Sequence, residues 1–357
     1  MKKCADMINL SNSDCYSLRG IAILCIFIHN YCHLLPNAPQ ENEYSWSIER
    51  THIFWSCLSN DLFVPLFSFW GHYGVPIFVF LSGYGLVQKY EKGSGIHLWK
   101  YIFSHYLKLI KLLLPGFLLY LLVSWLLYGN FDDINVVRFI LQLLLINNFV
   151  PTMYLPITPG PYWYFGLTMQ LYIIYLFLYK YIHRGMFLLV LCVLLLFYSV
   201  DHHNLTVWLK YNFWGSSIPF ILGILFAKSY CLSKIHVNRI YWLLGVIFSF
   251  PLLLLVEQSF YSWVFSSLPV VCLSICIVKL SFHQLNMALS FIGTISQYIF
   301  VLHPVCRKMV FYMQETYSVN WQIGFVLYVL LTVFGSYVFL LSYRSINNLN
   351  LGLKFRK

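Results

Sequence analysis

Ten stretches of this chain are apolar for long enough to cross, or nearly cross, a lipid bilayer, and that pattern constrains the fold more than any motif does. They run over residues 18–35, 73–87, 112–127, 163–179, 186–200, 213–227, 241–256, 261–278, 288–305 and 323–343. A hydrocarbon core about 30 Å thick takes roughly 20 helical residues to span, so the shorter stretches have soft boundaries. In lipid an open strand would leave backbone polar groups unpaired, which makes helices the default. Composition agrees: 60% of the 357 residues are hydrophobic and 10% are charged, against about 25% charged in an ordinary soluble domain. The expected fold class is all-α, a polytopic integral membrane bundle of about ten transmembrane helices forming one domain over residues 1–357. An eleventh apolar stretch, 136–146, is too short for a span and suits a re-entrant or interfacial helix.

Charge placement sets the orientation. With ten spans and a cytosolic N-terminus, the inside segments hold 18 of the 23 basic residues and 3 of the 12 acids, a balance of +15. The outside segments hold Arg50, Arg138, Lys210, Arg307 and Lys308 with the other nine acids, a balance of −4. An eleventh span would invert every later loop and destroy that asymmetry, so both ends are expected in the cytosol. The net charge of +11 then reflects the positive-inside bias, and no basic stripe on a soluble module points to nucleic acid. Asp6 and Asp14 interrupt any basic leader after Lys2 and Lys3, so the first apolar run reads as a retained helix. The ten cysteines, Cys272 and Cys276 included, read as small apolar packing residues with no metal-ligand or disulfide pattern. Gly93, Ser94 and Gly95 mark a cytosolic turn.

Ionisable side chains in hydrocarbon are costly, so those within the spans are functional candidates. His29 lies ten residues after Arg19 on the first span, about 15 Å along a helix and hence near the midplane. It reads either as a general base or as a packing histidine bonded to a neighbouring helix. His33 follows one turn later. The pair has zinc-ligand spacing, but no third ligand is evident, and no metal is expected. Ser82, Gly83 and Gly85 permit close approach of a backbone or a ligand. Lys108 and Lys111 are three apart, where they could hold phosphates or simply orient the helix. Trp163 opens a span that carries Gln170 and Tyr172, and His303 sits in the ninth span. Carboxylates lie deep in none of these runs, which argues against an ion-coupled transporter.

The order of these segments carries a resemblance. An Arg-Gly opening with His29 on the same helix, Phe78-Val-Phe-Leu-Ser-Gly-Tyr84, the basic pair before Pro115, Trp163-Tyr-Phe with Gln170-Leu-Tyr172, and Gly293-Thr-Ile-Ser296 leading to His303 follow in turn. Over about residues 15–345 the chain resembles the bacterial acyltransferase 3 family, the membrane O-acyltransferases of surface glycans. The resemblance implies a ten-helix enzyme of the cytoplasmic (inner) membrane, with no bound cofactor, that takes an acyl-coenzyme A donor, commonly acetyl-coenzyme A, and a glycan or lipid-linked sugar acceptor. It implies His29 as the catalytic histidine with Arg19 as its basic companion, Lys108 and Lys111 at the donor, and His33, Ser82, Trp163, Gln170, Tyr172 and His303 lining the core cavity. Three departures stand out: nine residues rather than ten separate Arg19 from His29, lysines replace an arginine pair, and Gln170 stands where many relatives carry Glu. Nine intervening residues leave Arg19 and His29 about 80° apart around a straight helix. A glycan exporter or transport accessory on the same scaffold is the alternative reading.

Overall fold

The computed structural model describes residues 6–7, 9–91, 95–131, 135–179, 181–229 and 236–354. Lys2, Lys3, Lys92, Lys180, Lys234, Arg356 and Lys357 of the expected inside charges lie outside these, as do Gly93 and Ser94 of the expected turn. Gly95, which ends that turn, has a φ of 123° that favours glycine.

Fifteen helices make up nearly all of the described structure. They are α1 (Asn12–Cys32), α2 (Ile48–Cys57), α3 (Phe63–Trp70), α4 (Gly74–Tyr90), α5 (Leu98–Tyr128), α6 (Val136–Leu143), α7 (Trp163–Leu178), α8 (Ile182–Tyr198), α9 (His203–Tyr211), α10 (Phe213–Lys228), α11 (Arg239–Val256), α12 (Phe260–Trp263), α13 (Ser267–Leu280), α14 (His283–Tyr317) and α15 (Trp321–Lys354). Among the described residues the one sheet pairing joins two residues, Asp6–Met7, antiparallel to His236–Val237.

Among the described residues, seven segments are long and apolar enough to cross a membrane: Asn12–Cys32, Phe63–Tyr90, Leu98–Tyr128, His183–Asp201, Arg239–Val256, His283–Tyr317 and Trp321–Tyr343. Phe213–Lys228 and Ser267–Leu280 are apolar but shorter, and α7 has 16 residues. Several sequence boundaries move, and the third stretch, 112–127, lies within the 31-residue α5. The second stretch grows to 28 residues, because α3 runs through a 3-10 turn (Gly71–Tyr73) into α4. The expected 261–278 span divides into α12 and α13, with Val264, Phe265 and Ser266 turning between them. The expected 288–305 span belongs to a 35-residue helix that continues past Pro304 and takes Arg307 with it. The 136–146 stretch forms the short helix α6 and no span.

Helix α1 sits at the centre. Ser11 and Asp14 close a capping box at its start, and Asp14 also pairs with Lys279 of α13 at 2.7 Å. Its principal partner is α14, and glycine permits the approach: a Cβ on Gly20 would strike the Leu289 carbonyl, and one on Gly293 the Tyr16 carbonyl. Gly83 and Gly223 let α4 and α10 cross in the same way, against the carbonyls of Phe220 and Phe80. Gly85, by contrast, faces open space. Bulky apolar side chains such as Trp99, Phe103, Phe187 and Phe248 are exposed, as a lipid-facing perimeter requires.

The segment between α1 and α2 folds back over the bundle and is clamped there. Asn42 donates from Nδ2 to Glu257 Oε2 at 3.3 Å and to Thr51 Oγ1 at 3.3 Å. Trp46 Nε1 donates to the Glu257 carbonyl at 2.9 Å, and Arg50 donates to the carbonyls of Glu41 and Ser45. Burial pushes the Glu257 carboxyl up to about 7, with the Asn42 hydrogen bond opposing it.

Two outcomes follow from this packing. Gly293→Val should wedge α14 off α1 and cost at least ~1–3 kcal/mol, read as a lower melting temperature of purified protein, whereas Gly85→Ala should melt no lower than the parent. The Glu257 proton is held in the folded state after the unfolded chain has released it, so its contribution falls as pH rises from about 4.5 to about 7. Glu257→Gln should therefore melt above the parent at pH 8, by a margin that narrows toward pH 5; a margin independent of pH would refute this.

Candidate active site

His29 faces inward from α1 and is 4% exposed. Its Nδ1 lies 3.1 Å from the Phe67 carbonyl, which can only accept, so Nδ1 carries the proton and Nε2 keeps a free lone pair. That contact depends on the junction of α3 and α4, where a Cβ on Gly71 would collide with the His29 Cβ. Nε2 lies 3.9 Å from Glu43 Oε2, beyond hydrogen-bond reach. His33 donates Nδ1 to the His29 carbonyl at 2.9 Å and stacks on its ring with centroids 4.7 Å apart. The His72 ring approaches edge-on at 5.9 Å.

These side chains line a cavity of about 270 Å³, together with Glu41, Glu43, Tyr44, Trp163, Tyr164, Tyr211, Phe300 and Arg307. Tyr44 stacks on Tyr211 at 4.0 Å, and Trp163 meets both rings edge-on. Arg307 donates from one nitrogen to the Asn30 carbonyl at 2.7 Å and to its Oδ1 at 3.0 Å. Asn30 is itself held through Nδ2 to the Ile26 carbonyl at 2.9 Å. Burial, reinforced by neighbouring Glu41, pushes the Glu43 carboxyl up to about 8. Burial likewise brings Lys210 down to about 8, with Glu43 opposing. Glu43 and Lys210 share a smaller adjoining pocket of about 50 Å³.

A second cavity of about 340 Å³ is basic. Arg19 and Lys108 line it with Ser82, Thr168, Tyr172, Ser296 and Gln297. Tyr164 and Phe300 belong to both cavities, with ring centroids 5.4 Å apart. The two spaces are therefore back to back, and this aromatic pair is their common wall.

The sequence-predicted residues divide between these spaces. His29, His33 and Trp163 line the histidine cavity; Arg19, Ser82, Lys108 and Tyr172 line the basic one. The nine-residue spacing thus puts Arg19 and His29 in different cavities, not on different walls of one. Three residues lie in neither wall. Lys111 is exposed one turn past Lys108. Gln170 spends its amide on structure, donating to Asn212 Oδ1 at 2.8 Å and accepting from the Phe213 N–H at 3.0 Å. His303 is fully buried behind Phe300, bonded through Nδ1 to the Ile299 carbonyl at 3.1 Å.

Sequence reasoning missed Glu41, Glu43, Tyr44, His72, Arg307 and the Tyr164–Phe300 wall. The carboxylates were overlooked because they lie in no apolar run; they come from a polar segment that folds back into the bundle. The available signal was Glu41 and Glu43 within fifteen residues of His29, in one of the chain's two longest hydrophilic stretches.

Residues 17–341, nearly the whole chain, match the family model described as an acyltransferase domain. No curated protein and no solved structure is significantly similar to the chain. A bundle of membrane-length helices with a family match of this extent makes the assignment: the chain belongs to the acyltransferase 3 family and is a multi-pass membrane acyltransferase.

Proposed function

We propose that this protein transfers an acyl group, acetyl by family expectation, from cytosolic acyl-coenzyme A to a hydroxyl of an exported or cell-surface glycan or glycolipid. The observation that carries this reading is the pair of back-to-back cavities, a free imidazole lone pair in one and two cations in the other, with one aromatic wall between them. In this reading ten helices cross the cytoplasmic membrane, both ends are cytosolic, and the basic cavity opens toward the cytosol.

Arg19 and Lys108 hold the phosphates of the donor, Lys108 as a point charge. The thioester reaches past Tyr164 and Phe300 into the histidine cavity. There an acceptor hydroxyl loses its proton to His29 Nε2 as its oxygen attacks the thioester carbonyl carbon. The C–S bond then breaks, and the imidazolium returns the proton to the departing coenzyme A sulfur. Arg307, held by Asn30 in the same cavity, supplies the positive charge that stabilises the tetrahedral oxyanion. Ser82 and Gln170 do not take that role: Ser82 lines the other cavity and donates to the Phe78 carbonyl at 2.8 Å, and the Gln170 amide is already bonded. Trp163, Tyr44 and Tyr211 offer the aromatic faces against which a sugar ring can pack.

His29→Ala should lower transfer from labelled acyl-coenzyme A by at least ~10² while the protein still inserts and melts as the parent does; retained transfer would sink the assignment. A glycan exporter on this scaffold would not consume the donor at all. Lys108→Ala should raise KM for acyl-coenzyme A, and Lys111→Ala should leave it unchanged, because only Lys108 lines the basic cavity. Equal effects of the two substitutions would argue against donor binding there.

A further inference from the structure

We propose that the histidine cavity is also a zinc site, with the His29 imidazole and the Glu41 and Glu43 carboxylates as its protein ligands. One nitrogen and two carboxylate oxygens, one ligand atom from each residue, lie within 4.8 Å of one another. The His29–Glu43 separation is 3.9 Å. Zinc sits about 2.0–2.2 Å from nitrogen and oxygen ligands, so in a tetrahedral site two ligands of one ion are about 3.3–3.6 Å apart. Rotation of the Glu41 and Glu43 side chains toward His29 would bring the three atoms to that spacing.

A further observation points to a cation. His29 is 4% exposed, and its Nε2 lies 3.9 Å from Glu43 Oε2 with no hydrogen bond to it among the described residues, while Nδ1 donates to the Phe67 carbonyl. That backbone contact is the outer-shell arrangement that fixes the tautomer of a metal-bound histidine. The ligand set favours a first-row transition ion such as zinc over calcium or magnesium. Calcium and magnesium take oxygen ligands, whereas imidazole with carboxylate suits zinc, and three protein ligands leave a position open to water.

The functional consequence rests on the reading of His29 as general base. Nε2 has one lone pair, which can accept a proton from the acceptor or bind zinc, but not both. Zinc in this site therefore blocks transfer reversibly, because it occupies the nitrogen that the base needs.

The test uses the full chain, purified in detergent, with zinc chloride as the probe. Zinc retained after desalting should approach about one ion per chain, and added zinc should abolish transfer, with EDTA restoring it. Glu41→Gln and His29→Ala should each weaken zinc binding by more than ~10-fold, since loss of even an outer partner of a ligand costs on the order of 10–100-fold. The proposal is overturned if the parent retains no zinc, if both variants bind it as tightly as the parent, or if saturating zinc leaves transfer unchanged or raises it. The parent measurements need no variant to fold. A His29→Ala protein that still transfers would sink the base reading and leave zinc binding to be judged by stoichiometry. A parent that binds no zinc while His29→Ala is inactive would sink the zinc site alone.

Discussion

The hydrogen bond from His29 Nδ1 to the Phe67 carbonyl is the contact on which the site depends. An imidazole in a membrane bundle has two nitrogens to satisfy, and leaving both unpaired would cost several kcal/mol. Spending Nδ1 on a backbone carbonyl settles the tautomer and leaves Nε2 as the lone pair that faces the cavity. The contact in turn requires α1 to touch the junction of α3 and α4, which is why Gly71 and Gly74 face its backbone and side chains. A Cβ at Gly74 would meet the Ala22 carbonyl, about two turns before His29 on the same helix. Close helix packing and the chemistry of one nitrogen are thus a single constraint.

Electrostatics in the histidine cavity come from elements that are far apart in sequence. The polar segment after α1 brings Glu41 and Glu43, α14 brings Arg307, and α9 brings Lys210 to the adjoining pocket. Asn42, lying between the two glutamates, is fixed to Glu257 at the end of α11, so a residue remote from the cavity holds its carboxylates in place. Burial pushes Glu43 up and Lys210 down toward the same range, near 8. The segment that folds over the cavity keeps these groups from water, which would otherwise screen them.

Much of the architecture was legible because a bilayer enforces it. Nine of the ten apolar stretches are each essentially one helical run, since backbone groups in hydrocarbon have no other partner, and 261–278 is helical on either side of a turn. Boundaries were legible only where polarity changes: Pro304 and Arg307 looked like the end of a span, yet α14 runs on through both because its neighbours bury that face. At the site, His29 stood out by its cost, and Arg19 and Lys108 by their charge. Gln170 stood out for the same reason and proved to bridge α7 to the α9–α10 junction, because a polar side chain in lipid must bond to something whether or not it has a function. Glu41, Glu43 and the Tyr164–Phe300 wall were not legible. Their importance arises from which segments fold together, and neither a polar loop nor two aromatics on separate helices carries that in its local pattern.

In the proposed reaction, that wall would let one bundle serve two substrates held in different compartments. A coenzyme A nucleotide and a glycan are both too polar to enter hydrocarbon, so a single open pore would have to admit both and water besides. Two short cavities meeting at Tyr164 and Phe300 avoid this. In the proposed reaction only the acyl group and the end of the donor arm cross the boundary, and two aromatic rings 5.4 Å apart need only rotate to admit them. Side-chain rotation of that kind takes place without repacking helices, so the glycine-tight crossings of α1 with α14 and α4 with α10 can stay closed throughout. Rigid helices with such a partition would, in the proposed reaction, keep water away from a thioester that would otherwise be hydrolysed.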